Sequence, residues 1–177
     1  MLGAGWTAIL ALVAAYAASV LSTPAGISGA VLLLIGGLLY VTYALQHAQK
    51  HDDVSGPGHG FVDVFTPQGG LVERLASRGT LNSPWGLALA AGGFGPFSNK
   101  LLAGNFGDGR ITAFDPVTGH FLGQLDDQHG QPISIDDLWA LTFGTATTGG
   151  TRTLLFSAGI NDEKDGLAGS INSAHRK

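Results

Sequence analysis

The chain has 177 residues, of which 12% are charged, with a formal charge of −4. That length suits one ordinary domain, and the acidic balance argues against nucleic acid, which needs a basic face. There is no cysteine, which excludes disulfides, thiol catalysis and cysteine-based zinc sites.

The first 49 residues contain no Asp, Glu, Lys or Arg. Residues 6–21 are apolar and rich in helix formers, and Ser22-Thr23-Pro24-Ala25-Gly26 breaks that run. Residues 1–34 are therefore expected to be a hydrophobic, membrane-type helical segment, since about 20 apolar residues span a bilayer as a helix. A signal peptide competes with this reading: Ala15-Tyr16-Ala17 offers an A-x-A site, though no basic residue precedes the apolar core. A buried soluble helix is a third reading. The first predicts a membrane-associated protein with an extracytoplasmic β domain, and the second a secreted one.

From Gly36-Gly37 the character changes to short strands. Residues 37–44 are β-prone, and residues 82–125 give four runs rich in β-branched and aromatic residues, separated by Gly, Pro, Asn and Asp. This predicts an antiparallel meander of a length suited to one blade of a β-propeller. Parts of the unit recur. Gly60, Val62, Phe65, Pro67, Gly69, Leu71 and Leu75 answer Gly109, Ile111, Phe114, Pro116, Gly119, Phe121 and Leu125, each copy reading strand, P-x-(x)-G turn, strand. Trp85-Gly86-Leu87-Ala88 is answered by Trp139-Ala140-Leu141-Thr142, and the second strand recurs at residues 39–44, 101–106 and 154–159.

The fold expected for residues 35–177 is thus all-β, a partial β-propeller of two to three four-stranded antiparallel blades. The first blade lacks its innermost strand and the last its outer ones. Open sheet edges are templates for association, so self-association is expected.

Two stretches resemble known families. Residues 3–34, with S-T-P-A-G-I-S-G-A-V-L-L-L, resemble the amino-terminal membrane segment of sulfite exporter TauE/SafE-type permeases. From residue 35, L-Y-V-T-Y-A, K-H-D-D-V-S-G-P-G-H-G-F-V-D-V-F, L-N-S-P-W-G-L-A-L-A and G-N-F-G-D-G-R-I-T-A-F-D-P-V-T-G resemble the carboxy-terminal part of a bacterial family of uncharacterised, usually secreted propeller-like proteins. Some of its members carry PEP-CTERM sorting signals. The second resemblance implies fold and secretion but no established activity. Together they suggest a composite or truncated chain.

In such blades, the loops at residues 50–60, 107–109 and 160–166 share one end with those at 77–83 and 126–136. His51-Asp52-Asp53 and Asn161-Asp162-Glu163-Lys164-Asp165 supply closely spaced oxygens, of the kind Ca²⁺ takes in sets of six to eight. The candidate metal set is Asp52, Asp53, Asp162, Glu163 and Asp165. The calcium-loop pattern itself is not met, because Glu163 holds the third place and Asn172 the twelfth; solvated turns are the competing reading. Trp85 and Trp139 are expected in the core. His51, His59, His120 and His129 show no ligand spacing. No catalytic set stands out, so the expected role is a non-enzymatic binding or interaction surface. A metal-dependent propeller lactonase or hydrolase and a remnant anion permease are the alternatives.

Overall fold

A computed structural model describes residues 27–28, 32–49 and 52–173. These are nearly all β: twelve strands in three antiparallel sheets of five, four and three strands. One short helical turn, Ile160–Glu163, is left-handed at Asn161, Asp162 and Glu163, with φ of 60°, 54° and 60°.

The first sheet holds β1 (Ile27–Ser28), β2 (Leu32–Ile35), β3 (Leu38–Leu45), β4 (Gly60–Phe65) and β5 (Leu71–Ser77). β2 runs beside Leu38 to Val41 and β1 beside Ala44 and Leu45, on the edge of β3 opposite β4. Together they form one interrupted strand, in the place taken by the first strand of the other sheets. Two expectations are corrected here. Ile27–Ser28 and Leu32–Ile35 are strand rather than membrane helix, and the first sheet does not lack its first strand. The physical reason is the Gly36-Gly37 pair, with φ of 57° and 83°. Consecutive left-handed residues make the two-residue hairpin that folds the apolar run back on itself. Among the described residues no helix is long and apolar enough to cross a membrane; residues 1–26 lie outside the described residues.

The second sheet is the expected meander, with β6 (Pro84–Leu89), β7 (Leu101–Asn105), β8 (Ile111–Phe114) and β9 (Phe121–Gln124) in sequence order. The third has β10 (Leu138–Phe143), β11 (Thr153–Ala158) and β12 (Leu167–Asn172). Registers confirm the repeat. Leu39 faces Phe65, Leu101 faces Phe114 and Leu154 faces Ile171, while Leu71 faces Phe65 as Phe121 faces Phe114. The P-x-(x)-G turns close as expected on Gly69 and Gly119, at φ of 84° and 68°. In the second turn Asp115 Oδ1 accepts from the backbone N–H of Val117 and Thr118. Lys100 donates to its other oxygen at 3.0 Å. Lys100 first, then those amides, hold this carboxyl well below its ordinary pKa.

Neighbouring sheets stack face to face. Tyr40, Val62, Val64 and Leu75 meet Leu87, Leu101, Ala103 and Phe114 in one core. Ala88, Leu102, Ile111 and Ala113 meet Leu138, Leu141 and Leu154 in the next. Glycines permit the close approach: a Cβ on Gly86 would stand 3.0 Å from Trp139 O and from the Leu141 backbone nitrogen. Tyr40 OH donates to Pro116 O, and Thr42 Oγ1 donates to Trp85 O, both at 3.1 Å and both between sheets one and two.

Candidate functional site

Backbone hydrogen bonds draw the loops together at one end of the three sheets. Gly58 N–H donates to Leu81 O, Gly107 N–H to Asn82 O and Ile135 N–H to Gly109 O. Two asparagines lock this end. Asn105, fully buried, accepts from the Asn82 N–H through Oδ1 and donates through Nδ2 to Thr80 O and Asp108 Oδ1. Asn82 Oδ1 accepts from the Gly56 N–H at 2.6 Å. The loop leaving β3 is thereby fixed to the loop entering β6. A buried amide satisfied on both sides sets geometry more than it adds stability.

The two tryptophans mark the same place in successive sheets. Each is the extra residue of a bulge, between Pro84 and Gly86 or between Leu138 and Ala140. Two positions earlier stand Ser83 and Asp137, both left-handed with φ of 49° and 46°. The Ser83 carbonyl accepts from the Phe106 N–H, and the Asp137 carbonyl from the Gly159 N–H. The indoles lie over those same residues. Trp85 is 6.0 Å from the Phe106 ring, and a Cβ on Gly159 would come within 2.5 Å of the Trp139 ring.

The expectation of core burial for Trp85 and Trp139 is corrected: both are half-buried and belong to neither core. A bulge turns its side chain off the regular alternation of the strand, so equivalence in the repeat did not imply burial. Trp139 Nε1 donates to Glu163 Oε1 at 3.0 Å. Trp85 Nε1 is buried and has no hydrogen-bond partner among the described residues; Ser83 Oγ and Asp53 Oδ2 share that condition.

The five carboxylates of the candidate calcium set do not converge. Asp52 lies 3.5 Å from His47 Nε2, and Asp162 lies 3.3 Å from Lys164 Nζ. Glu163 is taken by Trp139, and Asp165 Oδ2 accepts from Asn161 Nδ2 at 2.8 Å. Among the described residues no three His, Asp or Glu side chains are grouped so as to hold a metal ion, and His51 lies outside the described residues. At and just after the left-handed turn at residues 161–163, Asp162, Glu163 and Asp165 each meet a different donor.

A residue the sequence reading passed over gathers the acidic character of this end. Burial raises the pKa of Asp137, and the charges of Asp136, Glu163, Asp162 and Asp53 raise it further. Loops of the first and third sheets thus present carboxylates to one another. The signal was present: aligned on the tryptophans, Asp136-Asp137-Leu138-Trp139 answers Asn82-Ser83-Pro84-Trp85.

Against the known protein families the chain matches none. Two uncharacterised proteins of Acanthamoeba polyphaga mimivirus are similar to it, one 39% identical over 138 residues and one 38% identical over 140. Each alignment covers 77% of this chain but only 34% or 36% of the relative. A third mimivirus relative is 31% identical, with 25% of its length covered. The chain therefore spans about a third or less of the curated relatives it matches. These relatives are viral, where the resemblance drawn from the sequence implied bacteria, and none of them supports the permease or PEP-CTERM readings. Among solved structures, the crystal structure of Citrobacter koseri AztD is similar at a TM-score of 0.33 and 10% identity, over 78% of this chain and 33% of that one.

Proposed function

We propose that the three sheets are successive blades of a propeller-type array, and that their shared loop end is a binding surface rather than a catalytic centre. The observation that carries this reading is the repeated tryptophan bulge at that end. Two half-buried indoles stand at equivalent positions, beside loops whose carboxylates raise the pKa of Asp137. Flat aromatic faces next to clustered negative charge suit a cationic ligand, held by charge and by cation–π contact. The three-sheet span covers a minor part of the mimivirus relatives, so the array in a longer protein would extend beyond it.

The test is a titration followed by tryptophan emission, with the polyamine spermine and calcium as separate probes. Saturable binding of spermine, weakened several-fold by Glu163→Gln and by Asp53→Asn, is the expected result. Absence of saturable binding to either probe would sink the reading. Calcium binding accompanied by calcium-dependent lactone hydrolysis would replace it with the lactonase alternative.

A further inference from the structure

Four buried side-chain polar atoms lack a partner among the described residues: His47 Nδ1, Asp53 Oδ2, Ser83 Oγ and Trp85 Nε1. All four fall in two segments, residues 47–53 of the loop after β3 and residues 83–85 at the start of β6. Leaving such atoms desolvated and unpaired costs free energy, so their gathering in one place calls for an occupant.

A short chain of hydrogen bonds joins the two segments. The Ser83 N–H donates to His59 O at 3.1 Å. His59 Nδ1 lies 2.8 Å from Val54 O, and the Val54 N–H donates to Leu45 O at 2.7 Å. Asp53 thus adjoins the residue that His59 ties to Ser83. Thr42 Oγ1, from the same strand as Leu45, donates to Trp85 O. Ser83 is fully buried and holds the place that Asp137 holds in the third sheet, at φ of 49° against 46°. The charge of Asp53 reaches Asp137, so this junction borders the acidic cluster.

The third sheet shows how such an indole is satisfied. There Trp139 Nε1 donates to Glu163 Oε1 from the loop between β11 and β12. The matching loop of the second sheet, between β7 and β8, carries Asp108. Its Oδ1 already accepts from Asn105 Nδ2 and from the Arg110 N–H. Among the described residues the chain gives Trp139 an acceptor and Trp85 none.

What fits the junction follows from which atoms donate and which accept. Indole Nε1 only donates, a carboxylate oxygen only accepts, and a hydroxyl does either. A partner must then offer an acceptor to Trp85 and a donor to Asp53. An alkylammonium such as spermine carries donors alone and leaves the indole unpaired. A hydroxyl beside the ammonium supplies the acceptor. Granting the loop-end binding surface, on which this depends, we infer that its ligand is a hydroxylated amine, an amino alcohol or amino sugar. The ammonium donates to Asp53 Oδ2, and the neighbouring hydroxyl accepts from Trp85 Nε1 and pairs with Ser83 Oγ. Because these atoms are enclosed, residues 47–53 shift as the ligand enters.

The test is calorimetry on the full chain with a matched pair of probes, cyclohexylamine and the aminocyclohexanol whose hydroxyl adjoins the amine. Both are cations, and they differ by that hydroxyl. The hydroxylated amine should bind about tenfold tighter, as one hydrogen bond to a buried donor allows. The readout in each variant is the ratio of the two affinities. Trp85→Phe keeps an aromatic ring, removes Nε1 and should bring that ratio close to unity. Ser83→Ala should lower the ratio as well, without touching an indole. Asp53→Asn should weaken both amines several-fold and leave the ratio as it was. Equal affinities in the unaltered chain would overturn the inference, leave the loop-end surface standing and assign the junction to ordered water. A ratio kept in both Trp85→Phe and Ser83→Ala would place the hydroxyl elsewhere and overturn it too. Saturable binding by neither amine nor spermine would remove the loop-end surface and this inference together.

Discussion

Two faces of this molecule share one backbone plan and differ in what lies against them. The face of the second sheet that packs on the third presents Ala88, Leu102, Ile111 and Ala113, each at most 3% exposed. Registers place Thr142, Leu155, Ala168 and Ser170 at the same positions of the third sheet. There Thr142, Ala168 and Ser170 are exposed and Leu155 is half-buried. Turns and pairing fix where a strand runs, while side-chain size and polarity follow what that face meets. Repetition of the backbone therefore does not carry burial with it, and the two leucines make the sharpest test.

Leu102→Ala should cost about 2–5 kcal/mol, the range for a large-to-small change in a packed core. Leu155→Ala, at the same position one sheet on, should cost less, about 1–2 kcal/mol, because its side chain is only partly buried. Denaturant midpoints at constant slope would measure both. Equal costs would mean that the outer face of the third sheet is covered after all.

The tryptophans sharpen the same contrast. A fully buried aromatic lost from a core costs about 3–5 kcal/mol, but Trp85 is half-buried and its Nε1 lacks a partner among the described residues. Trp85→Ala should cost about 1–3 kcal/mol. A midpoint shift in the full core range would show that the indole packs more deeply than its bulge position suggests.

What could be read from the sequence follows from the same physics. Strands β3 to β11 were legible because turn residues and apolar positions recur with matched spacing, down to Phe65 with Leu71 and Phe114 with Phe121; β12 was not, because the last blade was expected to lack its outer strands. β1 and β2 were not. Ile27 to Ile35 is continuously apolar, a pattern that fits a helix and a doubly covered strand alike. The deciding signal is Gly36-Gly37, which is a two-residue hairpin turn between Ile35 and Leu38 and not only the point where short strands begin. At the loop end the tryptophan repeat was legible, but its exposure was not, since the bulge appears only when the strands are paired. The carboxylates of the calcium set are neighbours in sequence, but in the fold Asp162, Glu163 and Asp165 each meet a different donor. Asp137 was overlooked because its role arises from charges on loops of other sheets, Asp53 among them.

Asp137 also gives the smallest effect and the most specific one. Its folded pKa is raised, first by burial and then by Asp136, Glu163, Asp162 and Asp53, above an unfolded value of about 3.9. A carboxyl that holds its proton more tightly when folded favours the folded state below the unfolded value. That advantage is lost as pH rises through the folded value, so at neutral pH the charged group is a liability. Asp137→Asn removes the charge and keeps the left-handed backbone, which asparagine adopts readily at φ of 46°. The Asp137 carbonyl that accepts from the Gly159 N–H is backbone and remains in place. The melting temperature at pH 7 should therefore rise, by a stability gain of below about 1 kcal/mol once solvent screening is allowed for. The gain should vanish below about pH 4, where both states are protonated, and shrink in high salt as the neighbouring carboxylates are screened. A comparison of melting curves at pH 3.5 and pH 7 decides it. The same gain at both would place the effect in the backbone turn alone, and a loss at pH 7 would mean that the Asp137 charge is paired with a cation at the loop end.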